Sequence, residues 1–263
     1  MKYIAVVNPR MDDDEISHLI AKDIAGALFQ ISHQNYALAS KLIEQVKKLS
    51  KKHHRPVSII QSLSELSDPL DLEFGIKNGV DWIVTDQAEH AKVAKGLKKL
   101  THVIFKGRNL PKDIRVDSIM SEKFLDPDAE VAGYKYGPAR HASVEAFEQG
   151  VAGGQIKHLH GPHKNQAVLD SILDIAHHAG CSAVAVSDFD LAKALSFRRP
   201  DKKIVFAPDD HNLARRAAIY KSVHPIYKSR NLISSLHDAK MMKKGERIAD
   251  ATDAKHVAIH LIP

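Results

Sequence analysis

Asp71-Leu72-Glu73-Phe74-Gly75-Ile76-Lys77-Asn78-Gly79-Val80-Asp81-Trp82-Ile83 is the stretch on which the fold turns. Leu70–Lys77 reads as a short helix, and Asn78-Gly79 supplies the left-handed cap that ends one. The apolar run Val80–Thr85 that follows at once reads as a buried strand. On the N-terminal side, Pro56–Ile60 is a strand. Tyr36–Leu49 places Leu38, Leu42, Ile43, Val46 and Leu49 on one helical face. Ile24–Ile31 and Tyr3–Val7 read as strands, the latter ended by Asn8-Pro9. Asp12–Glu15 open a helix with Ile16, Leu19 and Ile20 at helical spacing. On the C-terminal side, Ala88–Leu100 is a helix and His102–Phe105 a strand. Arg115–Met120 and Val131–Tyr136 read as strands, Ala142–Gln149 as a helix and Ile156–His160 as a strand.

Strands alternating with helices imply parallel βα units. Eight strands up to His160 predict a (β/α)8 TIM-type barrel over residues 1–163. Barrels usually take ~200–250 residues, so this one is compact. From residue 164 to 263 the same rhythm predicts an open α/β sheet domain. It consists of helix Gln166–His178, strand Ser182–Val186, helix Leu191–Phe197, strand Ile204–Ala207, a helix from Asn212 to Tyr220 capped by Asp210, strand Pro225–Tyr227, helix Leu232–Met242, and two final strands near Arg247–Ala251 and Val257–Ile262.

The 263 residues carry 38 Lys and Arg against 32 Asp and Glu, with 17 histidines, one cysteine and one tryptophan. A hydrophobic fraction of 44% suffices for a buried core. One cysteine excludes a disulfide scaffold and any multi-cysteine metal site. Cys181 itself opens an apolar strand and reads as a small apolar residue. No apolar run reaches the ~18 residues of a membrane helix, and the acidic N-terminal segment is unlike a signal peptide. The expected location is cytoplasmic. No Ser-His-Asp spacing, P-loop, HExxH or dinucleotide fingerprint is present.

Three constellations carry chemistry. His158, His160 and His163, with Lys164, cluster at the predicted C-terminal end of a strand, where barrel active sites lie. Three imidazoles suit zinc or another divalent metal. With Lys164 they suit an anion, and a solvated turn in a histidine-rich chain is the third reading. Lys106 and Arg108 sit at another strand end. With Arg140 and His141 they form either a basic pocket for a phosphorylated or carboxylate metabolite or loop charges in salt bridges. The run Lys47–Arg55 favours a helix C-terminus. It has no aromatic interleaving, so nucleic acid is not the expected partner.

The segment 71–83 resembles the barrel segment DLEFGIxNGVDxI of the pyruvate kinases. Lys2–Pro9 is similar to that family's first strand, and Ser32-His33 to its Asn-Phe-Ser-His segment. The strand Cys181–Val186, the turn Arg199-Pro200, Ile204–Ala207 and Ala214–Tyr220 with Val223-His224-Pro225 follow the order of its C-terminal domain. The resemblance spans nearly the whole chain. It implies a barrel plus a C-terminal α/β domain, substrate contacts at Ser32, a catalytic Lys106, a metal acid near Asp126 and assembly as a homo-oligomer. The departures are as marked. There is no room after Ile60 for the inserted lid. The phosphate-clamping arginine falls on Leu28, its asparagine on Gln30, the potassium-binding aspartate near Ser62 and the metal-binding glutamate on Arg108. The threonine after strand 7 is missing at Pro138-Ala139-Arg140. The effector-phosphate loop corresponds to Ser187-Asp188-Phe189-Asp190, whose acids repel phosphate. An apolar Leu28 neutralises no phosphoryl charge.

The expected protein is therefore pyruvate kinase-like and catalytically degenerate. It binds a small anionic metabolite in a regulatory or structural role, and a divalent metal, magnesium or zinc, is its one candidate cofactor. The alternative is an active phosphotransferase or lyase on a phosphoenolpyruvate or keto-acid substrate. It would use Lys106 with a divalent metal, magnesium or zinc, held by Asp126 or by His158, His160 and His163.

Overall fold

The structure is a computed structural model describing residues 3–64, 67–97, 102–106, 118–120, 142–143, 166–198, 201–220, 222–228, 231–253 and 256–263. The chain divides into two compact units, residues 1–50 with 57–159 and residues 51–56 with 160–263.

The first unit is built on strands β1 (Tyr3–Val6), β2 (Gly26–Gln30), β3 (Ser58–Ser62), β4 (Trp82–Thr85), β5 (His102–Lys106) and β6 (Ser118–Met120). These six are parallel and lie side by side in chain order. Helices α1 (Asp13–Ala21), α2 (Tyr36–Lys52), α3 (Pro69–Lys77) and α4 (Ala88–Leu97) make the crossovers. Local chemistry sets their ends. Asp12 and Glu15 form a reciprocal capping box on α1. Asp68 caps α3, with Pro69 in its first turn, and Gly79 leaves it at φ +75°. α2 buries Leu42, Ile43, Val46 and Leu49 of the expected stripe, but Leu38 is exposed and Ala39 is buried in its place.

Each of these crossovers moves one strand in the same direction. Crossovers share one handedness, so the helices fall on one face of the sheet. Gln61 marks that face: its Nε2 donates to the Asp71 carbonyl of α3 at 2.8 Å. The side chain lies so close to α3 that a Cβ at Gly75 would meet Gln61 Oε1 at 1.8 Å, so any larger residue there forces the Gln61 amide to move. Period-two alternation then puts Ile60 on the opposite face. Cross-strand register carries that face to Leu28, Trp82 and His102. The Trp82 and His102 rings stack at 4.6 Å. Ile4, Ile60, Trp82, Val84 and Ile104 on this face are buried, as are Ala27, Phe29, Ile59 and Ile83 on the helix face. The sheet is therefore covered on both sides.

One expectation is corrected. Ala142–Ser143 is not the start of a helix but a two-residue strand, β7, paired antiparallel with β1 through Tyr3↔Ser143 and Ile4↔Ala142. A free edge of β1 offers backbone partners that local helix propensity does not anticipate. The rest of Ala142–Gln149, and the strands expected at Val131–Tyr136 and Ile156–His160, lie outside the described residues.

The second unit has the strand order β10-β9-β8-β11-β12. Its strands are β8 (Ala183–Val186), β9 (Lys203–Phe206), β10 (Val223–Pro225), β11 (Arg247–Ala251) and β12 (Ala258–Leu261). The first four are parallel, and β12 is antiparallel to β11. Its helices are α5 (Gln166–His178), α6 (Phe189–Arg198), α7 (His211–Ala217) and α8 (Leu232–Asp238). Asp210 caps α7 as expected, accepting from Asn212 N–H at 2.7 Å. Ala183, Ala185, Val205, Ala207 and Ile248 pack with Leu236 and Ala239 at α8. α5 packs on β8 and β11, and α6 on β8, β9 and β10. Strand β10 starts two residues before its expected position at Pro225. Cys181 is buried, and burial pushes its thiol up from the ordinary value, in keeping with an apolar role. Among the described residues, no helix is long and apolar enough to cross a membrane.

Candidate functional site at the strand ends of the first sheet

The C-terminal ends of β2, β3 and β5 carry polar residues. On the face away from the helices, the register Gln30↔Ser62↔Val84 closes the row above Leu28, Ile60 and Trp82. Ile104 pairs with Val84, and Lys106 is the next position on that face of β5. Gln30, Ser62 and Lys106 thus end their strands on one face. Ser32 follows two residues beyond Gln30.

The loops at this edge are fastened by their own side chains. Asn35 Nδ2 donates to the Gln30 carbonyl at 3.1 Å, and Asn35 Oδ1 accepts from Ser32 N–H at 3.0 Å. Tyr36 Oη donates to Asp71 Oδ1 at 2.8 Å, and its ring stacks on Phe74 at 4.1 Å. The start of α2 is thereby tied to α3. His90 Nε2 lies 3.1 Å from the Ser67 carbonyl and His90 Nδ1 3.4 Å from Thr85 Oγ1, which ties the loop after β3 to α4. Asp71 is 2% exposed. It accepts from Tyr36 and from Asp68 N–H. Burial first, then the hydrogen bond and charge of Asp71, then the charge of Asp68, push the Tyr36 phenol up to about 12.

Of the residues expected from sequence, Ser32 and Lys106 lie among the described ones, both at this edge. β3 and β4 separate their strands, about 14 Å along a flat sheet. Arg108, Asp126, Arg140, His141, His158, His160, His163 and Lys164 lie outside the described residues. Among the described residues, no group of three or more His, Cys, Asp or Glu side chains is placed to hold a metal. Sequence reasoning missed Tyr36, Asp71, Thr85 and His90. Asp68-x-x-Asp71 before an apolar stretch is a capping-box signal that points to Asp71. The Tyr36–Asp71 contact spans 35 residues and has no local signature.

In the second unit, Asp188 Oδ1 accepts from Leu191 N–H at 2.7 Å and Ser187 Oγ donates to the Thr252 carbonyl at 2.7 Å. The α6 N-terminus is thus occupied by its own carboxylate. In the basic run, Lys47 Nζ binds Glu44 and the Asn78 carbonyl, each at 2.8 Å, and Lys51 and Lys52 lie in the last turn of α2. Lys52 and Arg55, after the effect of burial, hold the His53 imidazole below its ordinary value.

No protein-family model and no curated protein matches this chain.

Proposed function

We propose that this chain is a pyruvate kinase-like protein whose first sheet closes as a compact (β/α)8-type barrel. In this reading its C-terminal mouth binds a small phosphorylated or carboxylate metabolite without turning it over. One observation carries the reading: the strand register sets positions 30, 62 and 106 at strand ends on the same face, beyond the buried Ile60, Trp82 and Ile104. Amide, hydroxyl and ammonium groups suit an anion. Closure is supported by strands wound in one direction with helices on one side and burial on the other. A curled sheet also brings β2 and β5 closer than the flat spacing allows. The antiparallel β7 makes the seam at β1 irregular.

The loss of catalysis rests on the same positions. Leu28 stands where the resembled family has its clamping arginine, and Ser62 where it has an acid. Magnesium takes carboxylate oxygens, which Gln30 and Ser62 do not offer. The described strand ends therefore do not fit that ion. Incubation with phosphoenolpyruvate, ADP, Mg²⁺ and K⁺ is expected to yield no pyruvate above a protein-free control. Pyruvate formation that disappears in Lys106→Ala would establish the alternative, an active transferase.

A further inference from the structure

The exposed face of α2 carries lysines in excess of what its local structure uses. The helix regroups the basic run Lys47–Arg55. Lys47 Nζ turns to Glu44 and to the Asn78 carbonyl at the end of α3, each at 2.8 Å. Lys41, outside that run, joins Lys48, Lys51 and Lys52 in the exposed set. At 3.6 residues per turn, Lys41, Lys48 and Lys52 fall within about 40° of one another, and Lys51 flanks them. α2 holds a single acid, Glu44, and Lys47 meets its charge. None of the four exposed lysines makes an ion pair among the described residues.

A helix C-terminus attracts cations, but the attraction fades within the last turn. It accounts for Lys51 and Lys52, which lie there, and leaves Lys41 and Lys48 without a local role. Past the helix end, Arg55 extends the positive field: after burial, Lys52 and Arg55 together hold the His53 imidazole below its ordinary value. The opposite side of α2, with Leu42, Ile43, Val46 and Leu49, is buried, so the helix has no apolar side left to enter a bilayer. No Phe, Tyr or Trp stands between Lys41 and Arg55, so the row offers single-stranded bases nothing to stack on. The rise from Lys41 to Lys52 is about 16 Å. Phosphates of one duplex strand recur about every 3.4 Å of axis, so the row spans about five of them.

We propose that the Lys41–Lys52 face of α2 docks double-stranded nucleic acid through its phosphodiester backbone, without reading sequence. Each ammonium takes the place of a counterion condensed on the duplex. The absence of aromatics, which made nucleic acid unexpected from the sequence, excludes base stacking and leaves backbone contacts open. The docking uses no strand-end residue, so it and the metabolite reading can fail separately.

Fluorescence anisotropy of a short labelled DNA duplex, titrated with the full chain over a salt series, tests this. Four phosphate contacts give a slope of log K against log salt of about −3.6, a loss of roughly 100-fold between 50 and 200 mM. Duplexes of two unrelated sequences are expected to bind alike. Lys48→Gln with Lys52→Gln, at exposed positions, is expected to halve the slope and weaken binding, with unchanged far-UV circular dichroism. The duplex is expected to outcompete both a single strand with the same number of phosphates and vesicles of phosphatidylserine. No binding at about 50 mM salt, an unchanged slope in the double variant, a clear sequence preference, or equal capture by single strand or vesicles would overturn the proposal.

Discussion

Trp82→Ala is expected to destabilise the first unit by about 3–5 kcal/mol, the usual cost of removing a fully buried aromatic side chain. Trp82 is 0% exposed. It sits in β4 in register with Ile60 on one side and His102 on the other. Its ring stacks on His102, so alanine leaves a cavity and removes that stacking contact. The position also lies on the side of the sheet away from the helices. The size of the effect therefore measures how well that side is covered. Urea unfolding followed by circular dichroism checks it. A loss under about 1 kcal/mol, within the range of a surface substitution, would mean the face is open and the barrel-like closure is wrong. Trp82 is the single tryptophan, so the wild-type fluorescence offers a second readout. Its emission should resist acrylamide quenching and should report on unfolding of the first unit alone.

The second large effect is expected at Asp71. Asp71→Ala removes a buried carboxylate that accepts from Tyr36 Oη and Asp68 N–H, leaving two donors without a partner. A cost of about 2–3 kcal/mol follows from losing charge-assisted bonds and stranding their donors. The change also acts on alkaline stability. The folded state holds the Tyr36 phenol at about 12, above its ordinary value of 10.0. A group raised on folding contributes stability that is complete below its unfolded pKa and is lost as pH rises through the folded value. The contribution of Tyr36 is therefore present below pH 10.0 and lost between there and about 12. Asp71→Ala removes two of its causes, so the window should narrow; Tyr36→Phe should abolish it. Alkaline unfolding curves of wild type and Tyr36→Phe that superimpose would contradict this account of the pair.

Where periodicity and caps agree, the sequence is a faithful guide. The apolar stripe of α2, the acids opening α1, the Asn78-Gly79 exit from α3 and the Asp210 cap all encode local structure that tertiary packing leaves intact. The buried runs of β3, β4, β8 and β9 were equally readable, because a strand covered on both faces is continuously apolar. β7 was not. Two residues of a helix-like segment pair with β1 because an edge lies open there, and that is a property of the assembled sheet. At the candidate site, Lys106 and Ser32 could be placed because strand ends follow from strand assignments. Tyr36, Asp71, Thr85 and His90 became visible only once distant loops were brought together.

In the proposed reading, the C-terminal edge of the first sheet binds small anions. Thermal unfolding of the full chain in a titration of phosphoenolpyruvate, with inorganic phosphate and chloride at matched ionic strength, tests it most directly. Ligand at 100 times its dissociation constant adds about 2.7 kcal/mol to the native state. A saturable rise in midpoint is expected with phosphoenolpyruvate or phosphate, lost in Lys106→Ala and absent with chloride. No rise with either anion, or an equal rise in Lys106→Ala, would contradict it.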